Sequence, residues 1–212
     1  DKRKIKVPSS WELIEKDYEG VAFYRYAFEV PKDWEANVIR LQFDAVNYLS
    51  EIWLNDEVVG FHEGGFTPFE FRVDNMIQTG KVNVLTLRVV GPIILSDKNI
   101  DGVSALETPQ WRGGLSGGIW QNVRLVASGN TYVKDVFMEP NIHDNTAAFH
   151  ITIDHTEIKG DSIDIEIHLS EASNIENDVA SYTETQKVEP GLNEYKVVIK
   201  IPEARYWSPD DP

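Results

Sequence analysis

Cysteine is absent from all 212 residues. That excludes disulfide staples, thiolate catalysis and cysteine-ligated zinc, though it leaves the cellular compartment open. Basic side chains are few: 20 Lys and Arg stand against 35 Asp and Glu, giving a formal net charge of −15. An acidic surface of this kind repels nucleic acid and anionic membranes, so neither is expected as a partner. No apolar run approaches the roughly 20 residues that a membrane-spanning helix needs. Asp1-Lys2-Arg3-Lys4 is charged but has no apolar stretch behind it, so these residues hold no signal peptide. No segment sustains a helical period.

Aromatic and β-branched residues are plentiful instead. Six Trp, eight Tyr and nine Phe occur in a chain that is 42% apolar, enough for a packed core. The stretch from Trp53 to Phe71 organises the rest. It reads as a strand, the turn pair Asn55-Asp56, a returning strand through Val58, Val59 and Phe61, a Gly64-Gly65 loop, and a strand again. Phe69, Phe71 and Val73 alternate with Glu70 and Arg72, the period-two signature of one buried face.

Further strands are expected over Val21–Val30, Val38–Phe43, Glu51–Asn55, Val82–Val90 and Ile119–Ala127. Asp74 to Ile77 suggests one helical turn with Asp74 as its cap and Gly80 closing it. Ser128-Gly129-Asn130 is a short polar break followed by fresh strands over Tyr132–Met138, Ala147–Asp154, Ser162–Leu169, roughly Val179–Val188, and Tyr195–Ile201. The expected organisation is therefore all-β, with one sandwich over residues 1–128 and a second, immunoglobulin-like one over 131–212.

Between Gly91 and Gly118 runs a connection longer than compact domains usually carry, and such connections are often functional. It holds Glu107, Trp111 and Arg112. A Trp face suits the C–H face of a sugar ring, and Arg and carboxylate groups hydrogen-bond the hydroxyls around it. The competing reading is an Ω-loop packed on its own Trp, or a segment docked on a neighbouring domain. Within the same connection, Asp97, Asn99 and Asp101 followed by Gly102 resemble the start of a calcium-binding loop. The twelfth position is Thr108, with Glu107 one place early, and a turn-rich acidic loop without metal fits as well. No other cofactor is suggested. The five histidines show no metal spacing. Nucleophile elbow, phosphate loop and dinucleotide fingerprint are all missing, so the residues alone nominate no catalytic group.

Several motifs resemble a known family. YEGVAFYRYAFEVPKDW (18–34), EIWLNDEVVGFHEGGFTPFEF (51–71), NVLTLRVVGP (83–92) and GGIWQNVRLVA (117–127) are similar to the N-terminal sugar-binding domain of glycoside hydrolase family 2. This is the family of β-galactosidases, β-glucuronidases and β-mannosidases. Pro8-Ser9-Ser10-Trp11 resembles its opening segment. Trp207-Ser208-Pro209, three residues before Pro212, resembles the end of its second, immunoglobulin-like domain.

The resemblance implies a jelly-roll-like, galactose-binding-type sandwich and an immunoglobulin-like sandwich ahead of a (β/α)₈ barrel. Two glutamates in that barrel would act as acid/base and nucleophile of a retaining glycosidase. On this reading the chain is a non-catalytic fragment that shares a carbohydrate substrate with the absent barrel. It begins after the family's usual first strand, and a periplasmic or extracellular setting follows by association. The family's loop ahead of the GGIW strand reaches the sugar, which maps onto Glu107 to Gly118. Where β-galactosidases carry an aspartate that touches both sugar and sodium, this chain holds Pro109, Gln110 and Trp111. The alternatives are a free-standing carbohydrate-binding or adhesive sandwich, and a scaffold in which Trp111 packs on the barrel.

Overall fold

The structure is a computed structural model, and it describes residues 3–35, 37–105, 116–171, 174–202 and 204–209. The chain divides into two compact units, Asp1–Ser128 and Gly129–Pro212. Among the described residues, regular structure is β-strand with two short 3₁₀ turns, Trp11–Leu13 and Lys32–Trp34. No helix among them is long and apolar enough to cross a membrane.

The first unit contains β1 (Val21–Glu29), β2 (Val38–Phe43), β3 (Leu49–Leu54), β4 (Glu57–Glu63), β5 (Phe69–Arg72), β6 (Val82–Val90) and β7 (Val123–Ser128). They form two antiparallel sheets, β1-β6-β3-β4 and β5-β2-β7. Each sheet turns its apolar alternate residues inward. Ile52 and Leu54 from β3, and Leu85, Leu87 and Val89 from β6, meet Ile39, Leu41 and Phe43 from β2. The Phe43 and Phe69 rings stack at 4.8 Å. Burying each such side chain contributes about 1.5–3 kcal/mol.

The β3–β4 turn has Asn55 at φ +51° and Asp56 at φ +67°, the mirror-image turn whose twist matches the flanking strands. Buried Asn83 holds it from below: its Oδ1 accepts from Asn55 Nδ2 at 2.8 Å and from the Gln78 amide at 2.8 Å. The helical turn expected at Asp74 opens one residue earlier. The Val73 carbonyl accepts from the Met76 and Ile77 amides at 2.9 and 3.0 Å, while the Asp74 carboxylate takes both arms of Arg72. Gly80 donates to the Val30 carbonyl at 2.8 Å and so ties the turn to the end of β1.

The expected strand at Ile119 begins only at Val123. Residues 117–120 are engaged elsewhere: Gly117 accepts from the Trp11 amide, Gly118 pairs with Asn47, and Ile119 accepts from the Ser9 amide.

The second unit contains β8 (Thr131–Asn141), β9 (Thr146–His155), β10 (Asp161–Glu171), β11 (Asn174–Val188) and β12 (Gly191–Lys200). They pair as β12-β9-β8 and β10-β11, all antiparallel. Strand β9 alternates strictly, burying Ala147, Phe149, Ile151 and Ile153 against Ile165, Val197 and Ile199. Strand β11 starts earlier than its apolar pattern suggests. Its first residues, Asn174 to Asp178, are exposed and polar apart from Ile175, and a strand with both faces in water carries no period-two signal. The fold class is a jelly-roll-like, galactose-binding-type sandwich followed by an immunoglobulin-like sandwich.

Candidate functional site

The long connection after β6 is tied down at both of its described ends. At the outgoing end, Glu19 carries the tie. This carboxylate is buried, and its Oε1 accepts from the amides of Ile94, at 2.5 Å, and Leu95. Its Oε2 accepts from Ser96 Oγ at 2.5 Å, and Lys98 Nζ donates to the Glu19 carbonyl at 3.2 Å. Burial pushes the Glu19 carboxyl up. The Leu95 amide, the Ser96 hydroxyl, the Ile94 amide and the Lys98 charge outweigh that and hold it below the usual carboxylate range.

Beyond this anchor the chain makes a tight turn. Ile100 and Val103 exchange backbone hydrogen bonds at 3.0 Å around Asp101 (φ +52°) and Gly102 (φ +88°). The three residues expected to bind calcium lie here, and the turn itself uses two of them. Asn99 Oδ1 accepts from the Gly102 amide at 3.1 Å. The Asp101 carboxylate pairs with Arg88, whose other arm reaches Glu51 Oε2 at 2.6 Å. Asp97 is exposed. Among the described residues no group of three or more His, Cys, Asp or Glu is placed to hold a metal ion.

At the returning end, Asn47 carries the tie. Its Nδ2 donates to the Ser116 carbonyl at 3.3 Å and to Ser116 Oγ at 3.2 Å. Its backbone exchanges hydrogen bonds with Gly118 at 2.7 and 2.9 Å. The Asn47 side chain also fills the space beside Gly65, where a Cβ would overlap Oδ1 and stand 2.8 Å from Cγ. Trp11 lies against the same returning segment. A Cβ on Gly117 would stand 2.6 Å from its ring, and Trp11 Nε1 donates to Tyr24 Oη at 2.5 Å. Tyr24 Oη in turn accepts from the Ile119 amide at 3.3 Å.

The Gly64-Gly65 loop meets this junction from the other side. Trp120 Nε1 donates to the Gly65 carbonyl at 2.8 Å, and the exposed Phe66 ring meets Trp120 edge-on at 5.7 Å. His62 stacks on Phe69 at 4.0 Å, and burial keeps its imidazole below the ordinary histidine range despite Glu63 alongside. Trp11 and Asn47 are buried and spend their polar groups within the junction, and Phe66 is the exposed ring beside it.

Glu107, Trp111 and Arg112 lie outside the described residues. The segment that contains them leaves from Ala105 and returns at Ser116. The two anchors, Glu19 and Asn47, escaped the sequence reading. For Asn47 a signal existed, a lone amide among apolar neighbours in Ala45-Val46-Asn47-Tyr48-Leu49. For Glu19 there was none, because its partners lie 75 to 77 residues away.

Two family profiles match the chain. Residues 13–129 match the profile described as glycosyl hydrolases family 2, sugar binding domain, and residues 131–212 match a second profile described as glycosyl hydrolases family 2. A beta-galactosidase from Thermoanaerobacter pseudethanolicus is 32% identical over 200 residues, covering 93% of this chain and 25% of the relative. A beta-glucuronidase from Bacteroides fragilis is 27% identical over 94 residues, covering 42% of this chain and 14% of its own length. The crystal structure of Bacteroides uniformis beta-glucuronidase superposes with a TM-score of 0.80 at 19% identity, over 99% of this chain and 25% of that one. The chain thus spans about a quarter of the length of relatives that it matches nearly end to end.

Proposed function

This chain belongs to glycosyl hydrolase family 2, and we propose that it is the non-catalytic front portion of an enzyme that hydrolyses terminal β-glycosidic bonds in carbohydrates. The observation that carries the proposal is the pair of family profiles, matched in order over 13–129 and 131–212, in a chain that covers a quarter of a beta-galactosidase. The two carboxylates of a retaining mechanism would then lie in polypeptide outside these residues. By itself the chain hydrolyses nothing.

Its contribution to the reaction is positional. Glu107, Trp111 and Arg112 are proposed to meet the sugar, with the Trp ring on an apolar sugar face and the two charged side chains on hydroxyls. What supports this is the extent of the anchoring. A buried carboxylate and a buried amide both hold the ends of one connection, at Ile94–Ser96 and at Ser116–Gly118. Positioning of this kind lowers the entropy lost when substrate and loop meet.

The test uses the full-length parent and a panel of chromogenic β-glycosides. Trp111→Ala in the parent is expected to lower kcat/KM by about twofold to tenfold, in line with the ~0.5–1.5 kcal/mol of an aromatic contact, with unfolding midpoint unchanged. Unchanged kcat/KM on every substrate would remove Trp111 from the site. A reading frame that stops at Pro212 would instead favour a free-standing carbohydrate-binding protein.

A further inference from the structure

The segment from Ser9 to Gly20, just ahead of β1, meets the long connection at both of its ends. Its start holds the returning end. The Ser9 amide donates to the Ile119 carbonyl and the Trp11 amide to the Gly117 carbonyl, both at 2.9 Å. Its finish holds the outgoing end. The Gly20 carbonyl accepts from the Gly91 amide at 2.9 Å, and the Glu19 carboxylate takes the amides of Ile94 and Leu95.

One side chain of this segment reaches both ends at once. A Cβ on Gly91 would overlap the six-membered ring of Trp11, and a Cβ on Gly117 would stand 2.6 Å from the same indole. A Cβ on Gly118 would stand 2.5 Å from Trp11 Nε1. The ring therefore lies between the first residue of the connection and the last two, and glycine at each place lets the backbone come up against it. Tyr18 closes the arrangement from within the segment, its ring edge-on to Trp11 at 5.4 Å. Ser10 fixes the start of the 3₁₀ turn that carries Trp11, its Oγ accepting from the Glu12 amide at 3.3 Å.

A connection whose ends are free must give up conformational freedom each time it meets a ligand. Here that freedom is given up on folding. Asn47 holds the returning end and Glu19 the outgoing one. The Trp11 ring fixes the two ends relative to each other, because moving either glycine away opens a gap against the indole and moving it closer produces a clash.

We propose that Ser9–Gly20 is a splint that sets the geometry of the connection before sugar arrives, and that Trp11 is the positioning residue within it. This rests on the reading of Glu107, Trp111 and Arg112 as sugar contacts. At 6% exposure Trp11 meets no substrate itself and acts through Gly91, Gly117 and Gly118. The coupling is reciprocal: if the splint favours the arrangement that binds sugar, bound sugar favours the closed splint by the same factor.

The experiment uses the full-length parent and the chromogenic β-glycoside that it cleaves best. Trp11→Phe keeps an aromatic ring but leaves a gap beside the glycines. It is expected to raise KM by about threefold to tenfold with kcat within about twofold of the parent. A residue that only stabilises the fold gives the opposite pattern, a smaller active fraction and so a lower apparent kcat at unchanged KM. That pattern, or no change in either constant, overturns the proposal and leaves the glycosidase reading intact. A parent that cleaves none of the panel overturns both.

A second measurement needs no substitution and stands if Trp11→Phe fails to fold. Lys16 is exposed in the splint, next to Asp17 at φ +58°. Trypsin cleavage after Lys16 is followed in the parent with and without a saturating concentration of the free monosaccharide released from that substrate. The sugar is expected to slow this cleavage by about threefold or more relative to cleavage after Lys159, in the exposed β9–β10 loop. Equal slowing at the two sites marks global stabilisation alone, and no slowing at Lys16 marks a splint uncoupled from the sugar; either result overturns the proposal.

Discussion

The Glu19 carboxylate accepts a hydrogen bond from the Ile94 amide at 2.5 Å, across 75 residues of sequence. That contact joins the segment just before β1 to the loop just after β6. It decides where the connection bearing the proposed sugar-contacting residues begins.

Replacing Glu19 by Gln keeps one acceptor oxygen but sets an amide N–H₂ against backbone N–H donors. Hydrogen bonds to a charged group are worth about 1.5–3 kcal/mol each, so Glu19→Gln is expected to destabilise the first unit by about that amount. Urea unfolding followed by Trp fluorescence measures it. A midpoint within error of the parent chain would show that the loop is held by other contacts. The pH dependence has a definite sign. Because the folded state holds this carboxyl below its ordinary value of 4.5, the stability it contributes is present above the unfolded value. It is lost as pH falls through the folded value, in a window below 4.5. Glu19→Gln should flatten the stability profile in that acidic window and leave its shape near neutral pH unchanged.

Gly65 has no room for a methyl group, because Asn47 occupies the space. Gly65→Ala is expected to cost about 1–3 kcal/mol from overpacking. Asn47→Ala removes the obstruction but also deprives Ser116 of its partner. The double variant should therefore lose less than the sum of the two single variants, by more than the ~0.5 kcal/mol scatter of independent sites. Strict additivity in a double-mutant cycle would show that the two residues do not touch in solution.

Trp11 is 6% exposed and closes one end of the first unit over Gly91, Gly117 and Gly118. Trp11→Ala should cost about 3–5 kcal/mol, the range for large aromatic truncations in a core. Tyr24→Phe keeps the ring and removes only the acceptor for Trp11 Nε1 and the Ile119 amide. It should cost about 1–3 kcal/mol, the penalty for buried donors left without a partner. Thermal melts of the three proteins give the ordering, and an equal loss for both variants would contradict the packing role of the Trp ring.

His168 lies 2.5 Å from the Asp178 carboxylate, which also accepts from Ser170 Oγ at 3.1 Å. The hydrogen bond and charge of Asp178, with Glu166 further off, raise the imidazole above its ordinary value. Whatever stability the pair contributes is present at low pH, down to the range where Asp178 itself takes a proton. It fades as pH rises through the raised His168 value. An NMR titration of the ring should show a midpoint above that of a free histidine, returning toward 6.5 in Asp178→Asn. A midpoint indifferent to Asp178→Asn would mean that the pair does not persist in solution.

Calcium binding at Asp97, Asn99 and Asp101 has a direct test. Calcium would have to displace the Arg88 guanidinium from Asp101 and release Asn99 from the Gly102 amide. Isothermal titration of the metal-free chain should distinguish the two readings of this turn. Heat that vanishes in Asp101→Asn supports the metal site, and a flat titration removes it.

The sequence by itself determined the class of the fold, most of its strands and the β3–β4 turn, because each rests on local pattern. Alternating side chains face opposite sides of a strand whatever the rest of the chain does, so Val82–Val90 reads as β6 without a partner in view. Asn55-Asp56 accepts left-handed backbone angles by its own chemistry. The same local logic failed for Ile119, whose apolar neighbourhood reads as strand although Trp11 and Asn47 had claimed the segment. Only the tertiary structure decided that Glu19 and Asn47 anchor the long connection and that Asp101 faces Arg88. A buried polar group is explained by the partner that satisfies it. That partner is a chain neighbour distant in sequence, which no window of local residues contains.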